Sequence, residues 1–202
     1  MSDHVTVGNA KITNSSSVRN LGAWFDSSLT MHTHIAKICS SGFYYIHNIR
    51  RIRKYLSVET TKTLINDLVT SRLDYCNSLL YGSSNNLTDK LQRLQNCAAR
   101  LISNTPKFSH ITPVLYELHW LPVKARIHFK IILLTFKAIR GSAPIYLQNL
   151  LIRKRRNQHY LRSAEDGLFL ERHKGKTLAT LGDCAFQTAA PTCWNYALPK
   201  HY

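Results

Sequence analysis

The sequence predicts a mainly α-helical chain, a helical bundle preceded by a short N-terminal pair of β-strands. Three observations lead there. Apolar residues recur at helical spacing through most of positions 29–151, and two short apolar runs bounded by turn residues stand before them. A chain of 202 residues that is 44% hydrophobic is also long enough to bury one core, with room for an appendage.

The strands come first. The runs His4 to Val7 and Val18 to Phe25 are joined by Gly8-Asn9 and by the polar cluster Asn14 to Ser17, which reads as a strand pair. Two strands are marginally stable alone, so this pair is expected to be the edge of something larger, in a chain that starts inside a domain. From Leu29 to Ile52 the period turns helical, with Ile35, Ile38, Cys39, Gly42, Tyr45, Ile46 and Ile49 on one face. Ser57 is a good N-cap with Glu59 in the first turn, and Leu64, Ile65, Leu68, Val69, Leu73, Cys76, Leu79 and Leu80 form a stripe ending before Gly82. This predicts one long helix. After the loop "GSSNN", Leu87, Leu91, Leu94, Ala98, Leu101 and Ile102 predict an antiparallel partner for it, with Lys90, Arg93 and Arg100 projecting to one side.

A short helix after Thr112-Pro113, a turn at Leu121-Pro122 and a long helix ending at Gly141 follow. The long helix is apolar on most sides, which predicts a central place in the core. "IYLQNLL" adds a helical turn, and "IRKRRNQHYLRSAEDG", poor in large aliphatics, reads as a linker. A short helix from Asp183 to Ala190 is expected near the end.

Charge bounds the function. Lys and Arg number 27 against 11 Asp and Glu, a formal charge of +16, so the expected partner is a polyanion. Basic residues spread through segments rich in Trp, Tyr and Phe favour nucleic acid over a membrane. No apolar secretory region follows Met1, and the run Ile131 to Leu134 is too short to span a bilayer. Cys39, Cys76, Cys97, Cys184 and Cys193 are odd in number and scattered, as suits reduced thiols. An intracellular protein is expected, in nucleus or cytoplasm.

Several chemistries find no residues to carry them. His32, His34 and Cys39 lack the partner spacing of a zinc site, because His-x-His on a helix sends its rings to different faces. There is no Gly-x-Ser-x-Gly elbow, and "HKGKT" at 173–177 lacks the first glycine of a phosphate loop. Asp26, Asp67, Asp74, Asp89, Asp166 and Asp183 are isolated singles, where metal-assisted phosphoryl transfer needs clustered carboxylates. Cys76 falls on the apolar stripe, as a small inert hydrophobe would, and Asp74 falls off it, as a solvated helix residue would. No catalytic residue is expected.

The basic clusters carry more. Arg50, Arg51, Arg53 and Lys54, then Lys90, Arg93 and Arg100, then Arg153, Lys154, Arg155 and Arg156 are candidate phosphate contacts, with solvated surface or a nuclear-import signal as the plainer reading. Tyr55 is a candidate stacking group; for Trp120, core packing is the simpler use.

Taken in order, "LGAWFDSSLTMHTHI", "SRLDYCNSLLYG", "LQRLQNCAARLI", "HITPVLYELHWLPVKARIHFKIILLTFKAIRGSAPIYLQNLL", "LRSA" and "GDCAFQTAAPTCWNYALP" resemble the C-terminal part of non-LTR (LINE-type, Jockey-like) retrotransposon reverse transcriptases. The resemblance implies a palm-edge β remnant over residues 1–28, a thumb-like helical domain over 29–151, and a basic linker with a C-terminal extension over 152–202. It implies an RNA-directed DNA polymerase whose Tyr-x-Asp-Asp turn and further palm Asp precede this segment; "LDYC" is not that turn. Alone, the chain is then expected to bind primer-template RNA, DNA or hybrid and to catalyse nothing, with Mg²⁺ needed only by the missing palm. That palm and other retroelement proteins are further partners, and no membrane is expected. The alternative is a non-catalytic helical interaction module, a retroelement remnant without a polymerase role.

Overall fold

A computed structural model of the chain describes residues 4–13, 15–153, 169–172 and 181–197. The described chain is mainly helical, with two small antiparallel sheets at its start. The two apolar runs do not pair with each other, contrary to the expected single strand pair. Each closes on its own neighbour: β1 (His4–Val7) pairs with β2 (Ala10–Thr13), and β3 (Ser17–Asn20) pairs with β4 (Ala23–Asp26). The reason lies in the two-residue connections, which allow hairpins locally and make a distant pairing unnecessary. In the second hairpin both turn residues, Leu21 and Gly22, have positive φ, which matches the right-handed twist of the flanking strands.

The chain gathers into two compact units, one formed by residues 1–76 and 83–118 and the other by 77–82 and 119–202. In the first, Asp26 organises the approach to α1 (His32–Ile52): its carboxylate accepts the Thr30 N–H at 2.8 Å and the Thr30 hydroxyl at 3.0 Å. These bonds hold the carboxyl below its ordinary pKa. Leu29 and Met31 consequently sit in the left-handed region, and the helix starts at His32, three residues later than the periodicity alone suggests.

Ser57 caps α2 (Val58–Ile65) as expected, its hydroxyl accepting the Thr60 N–H at 3.0 Å. The predicted long helix from Ser57 to Gly82 does not persist. It widens into a π-turn at Asn66–Thr70, tightens through α3 (Ser71–Asp74), and breaks at Cys76, whose φ is +53°. A 3₁₀ turn, Asn77–Leu80, follows and belongs to the second unit. The widened turn shifts the phase of the apolar stripe, so Ile65, Val69 and Leu73 stay buried four residues apart while Leu79 is left exposed.

The core of the first unit lies between α1 and α4 (Asn85–Ser103). Gly42 of α1 lets Leu94 of α4 approach so closely that an added Cβ would stand 2.6 Å from its Cδ2. Cys39 lies beside Lys90 and Arg93, and Arg53 just past α1 reaches the last turn of α4. The two helices therefore run in the same direction. The unit closes with α5 (Thr112–Glu117), which has Pro113 in its first turn.

The second unit is organised on α6 (Val123–Ile139), preceding α7 (Ile145–Gln148), with α8 (Leu181–Cys184) and α9 (Phe186–Ala197) after it. α6 packs against α9 and the Asn77–Leu80 turn. It is not surrounded by core, as its composition suggests: Val123, Ile127, Ile131, Thr135 and Ala138 form one buried stripe at nearly every fourth residue, while Phe129 and Phe136 remain exposed. The expected short helix at Asp183 to Ala190 is two, split at Ala185, and the second runs on through Pro191 to Ala197 because its buried face is already seated on α6. Tyr81 places its ring edge on His128, 5.6 Å between centroids. Burial, with the neighbouring Cys193 thiol, pushes the Tyr81 hydroxyl up to about 12. Asn195 clamps Leu170 by two amide hydrogen bonds, 3.0 and 2.8 Å.

Candidate nucleic-acid interface

Four of the residues that charge alone singled out meet in one groove of the first unit. Arg50 and Lys54 come from the end of α1 and the 3₁₀ turn Arg53–Tyr55 after it, Arg53 from that same turn, and Arg100 from the last turn of α4. Lys107 joins them from the loop beyond, and the groove, about 830 Å³, has no carboxylate among the described residues of its lining. The parallel course of α1 and α4 is what brings two C-terminal ends, each carrying basic residues in its last turn, to the same place.

The cations are not equivalent. Arg53 donates from Nε to the Leu101 carbonyl at 3.0 Å, from Nη2 to Ile102 at 3.1 Å, and from Nη1 to Leu56 at 2.9 Å. It thereby closes carbonyls that the end of α4 leaves without intrahelical partners. Arg100 similarly donates from Nη1 to the Pro106 and Ser109 carbonyls, 3.2 and 3.0 Å, folding the loop that presents Lys107. Arg53 and Arg100 hold the groove together and contribute charge to it, while Arg50, Lys54 and Lys107 add charge without tying backbone carbonyls. Asn104, in the left-handed conformation at the C-cap of α4, turns the chain back toward the groove. Sequence reasoning passed over Lys107, although the stop signal Asn104-Thr105-Pro106 directly before it was legible.

Two exposed aromatic rings accompany the lysines. Lys54 lies over the Tyr55 ring at 4.8 Å and Lys107 over the Phe108 ring at 5.7 Å, the rings being 76% and 93% exposed. Exposed planar groups beside cations have the chemistry that base stacking uses. Trp120, in the second unit, is half-buried with the Arg126 guanidinium 5.8 Å from its ring.

Other predicted contacts fall elsewhere. Arg51 is exposed on α1 but does not line the groove. Lys90 and Arg93 stand farther back along α4, beside Cys39, whose thiol burial pushes up despite them. From Lys90 to Arg100 the basic edge of α4 extends about 15 Å, roughly four phosphates of one strand. Arg153 belongs to the second unit, where Nη2 donates to the Ile139 carbonyl at 2.9 Å and the side chain lines a pocket with Arg140. Lys154, Arg155 and Arg156, and the "HKGKT" stretch, lie outside the described residues.

No family model matches the chain, and no curated protein or solved structure does. The groove must therefore be read from its own chemistry. Among the described residues there is no group of three or more His, Cys, Asp or Glu that could hold a metal ion. Also among them, no helix is long and apolar enough to cross a membrane.

Proposed function

We propose that this chain is the thumb-side part of a non-LTR, Jockey-like reverse transcriptase and that it grips the backbone of a primer-template duplex, without catalysing synthesis itself. The observation that carries the reading is the groove of Arg50, Arg53, Lys54, Arg100 and Lys107, lined by no carboxylate among the described residues and flanked by exposed rings. Arg and Lys donors suit phosphate oxygens, and their placement at two helix ends tracks a strand and reads no sequence. The ordered motif series from "LGAWFD" to "CWNYALP" supports the family, and the chain contains no Tyr-x-Asp-Asp.

Fluorescence anisotropy of the full chain on an RNA–DNA hybrid duplex, titrated across salt, tests it. Binding should weaken with a log–log slope of about −3 to −5, at roughly 0.9 or a little less per neutralised phosphate. The double variant Arg50→Gln, Lys54→Gln should flatten that slope by about 2. A slope near zero would instead mark a protein-binding helical module. In a primer-extension assay with Mg²⁺ and all four dNTPs, no product is expected, and extension by the purified chain would sink the non-catalytic reading.

A further inference from the structure

A second groove of the first unit, about 810 Å³, shares no lining residue with the first. Hairpin β3–β4 supplies Arg19 and Trp24, α1 supplies His34 and Lys37, and α3 with the residue after it supplies Arg72 and Tyr75. Again no carboxylate of the described residues lines it. The cations here are coupled to flat rings. Lys37 lies over the Trp24 ring at 5.5 Å, and Arg72 lies over Tyr45 at 5.0 Å. The Arg72 guanidinium is fixed further by donation to the Leu68 carbonyl at 3.1 Å and to the Tyr45 hydroxyl at 3.3 Å. Tyr75 donates its hydroxyl to the Leu21 carbonyl and so ties the hairpin turn to α3.

His34 adds an independent sign of a missing ligand. Its side chain is only 3% exposed, and the Trp24 N–H donates to its Nδ1 at 3.4 Å, so the proton of the neutral ring sits on Nε2. That Nε2 is buried with no hydrogen-bond partner among the described residues. Buried donors in folded proteins are almost always paired, so a lining histidine whose Nε2 has no partner among the described residues marks this wall of the groove as unfinished.

We propose that this groove binds one unpaired nucleotide: its base against Trp24 and Tyr75, and its phosphate on Arg19, Lys37 and Arg72. A peptide carboxylate would use the cations but set nothing flat against the exposed Tyr75 ring. A paired base keeps its faces inside the duplex stack, whereas an unpaired one offers them to side chains. The same chemistry is presented by a free nucleoside monophosphate and by an unpaired residue of a strand.

Equilibrium dialysis of the full chain with AMP, adenosine and ribose 5-phosphate tests the proposal. One AMP should bind per chain, about tenfold or more tighter than either half-molecule, and Trp24→Leu should weaken it by roughly five- to a hundredfold. Should Trp24→Leu not fold, the exposed Lys37→Gln serves, and it should reduce the preference of AMP over adenosine. AMP binding no tighter than ribose 5-phosphate would overturn the proposal, as would folded variants that bind like the parent chain. Arg50→Gln, Lys54→Gln should lose the duplex and keep AMP; loss of both would place AMP in the first groove and overturn the assignment. Displacement of AMP by a duplex with a single-stranded overhang identifies a strand as the source, and its failure to displace AMP identifies the free nucleotide. Displacement by a blunt duplex would overturn the unpaired requirement.

Discussion

Arg50 and Arg53 stand one turn apart at the end of α1, yet their guanidinium groups meet different surroundings. Arg53 donates to three backbone carbonyls, and its removal leaves the end of α4 with acceptors facing a half-buried gap. Arg53→Ala should lower unfolding free energy by about 2 kcal/mol, the range for hydrogen bonds to a charged group, as read by urea denaturation. Arg50, exposed and without a side-chain hydrogen bond among the described residues, should change stability by less than about 0.5 kcal/mol when replaced by Gln while still reducing the salt slope. His34 supplies a pH dependence. Burial lowers its folded pKa below the ordinary value, so the folded chain binds fewer protons than the unfolded one and stability rises with pH. The loss should begin as pH falls below about 6.5 and grow toward the depressed folded value, since protonation removes the acceptor of the Trp24 N–H in a groove already carrying three cations. Thermal melts at pH 5 and pH 8 should differ less for His34→Gln than for the parent chain.

The packing of α1 on α4 depends on one missing methyl group. Gly42→Ala gains about 1 kcal/mol of helix propensity, but the new Cβ would press on Leu94, which is fully buried and cannot swing aside. A net loss of about 1 kcal/mol is expected, where the same substitution on an open helix face would stabilise. Ser57→Ala should cost a similar ~1 kcal/mol by uncapping α2. The elements that their own residues specify were legible in the sequence: α1 and α4 from their apolar period, α5 from Pro113, and the Ser57 cap from its hydroxyl. The break in the Ser57–Gly82 stretch was not, because no glycine or proline marks Asn66–Thr70 and a cysteine adopts the left-handed turn at 76. The groove was half legible. Its charges stand in the sequence, but which arginine caps and which reaches solvent depends on carbonyls 48 and 49 residues away. The second groove left almost no local trace, since Trp24, His34 and Tyr75 become neighbours only through the hairpin turn that Tyr75 anchors.

At the scale of the molecule, +16 charges on 202 residues repel one another. Raising salt from about 0.01 to 0.15 M shortens the screening length from roughly 30 to 8 Å, so the Tm of the free chain should rise. In the presence of saturating duplex the sign should reverse, because the stabilisation from binding shrinks as affinity falls with salt. Paired calorimetric melts with and without duplex check both signs; a Tm that rises equally in both would argue against backbone contacts. The six residues Asn77–Gly82 have a consequence for how the protein can be divided. They complete the second unit, yet both of their flanks belong to the first, so the backbone crosses between units after residues 76, 82 and 118. No single cut yields two whole halves. A chain ended after Leu118 would carry Tyr81 away from His128 and Gly82 away from Cys184, against whose thiol it packs with no room for a Cβ. The boundary at 118/119 therefore offers a place for a nick that leaves the pieces associated, and separating them would demand opening the second unit, from which residues 77–82 must be withdrawn.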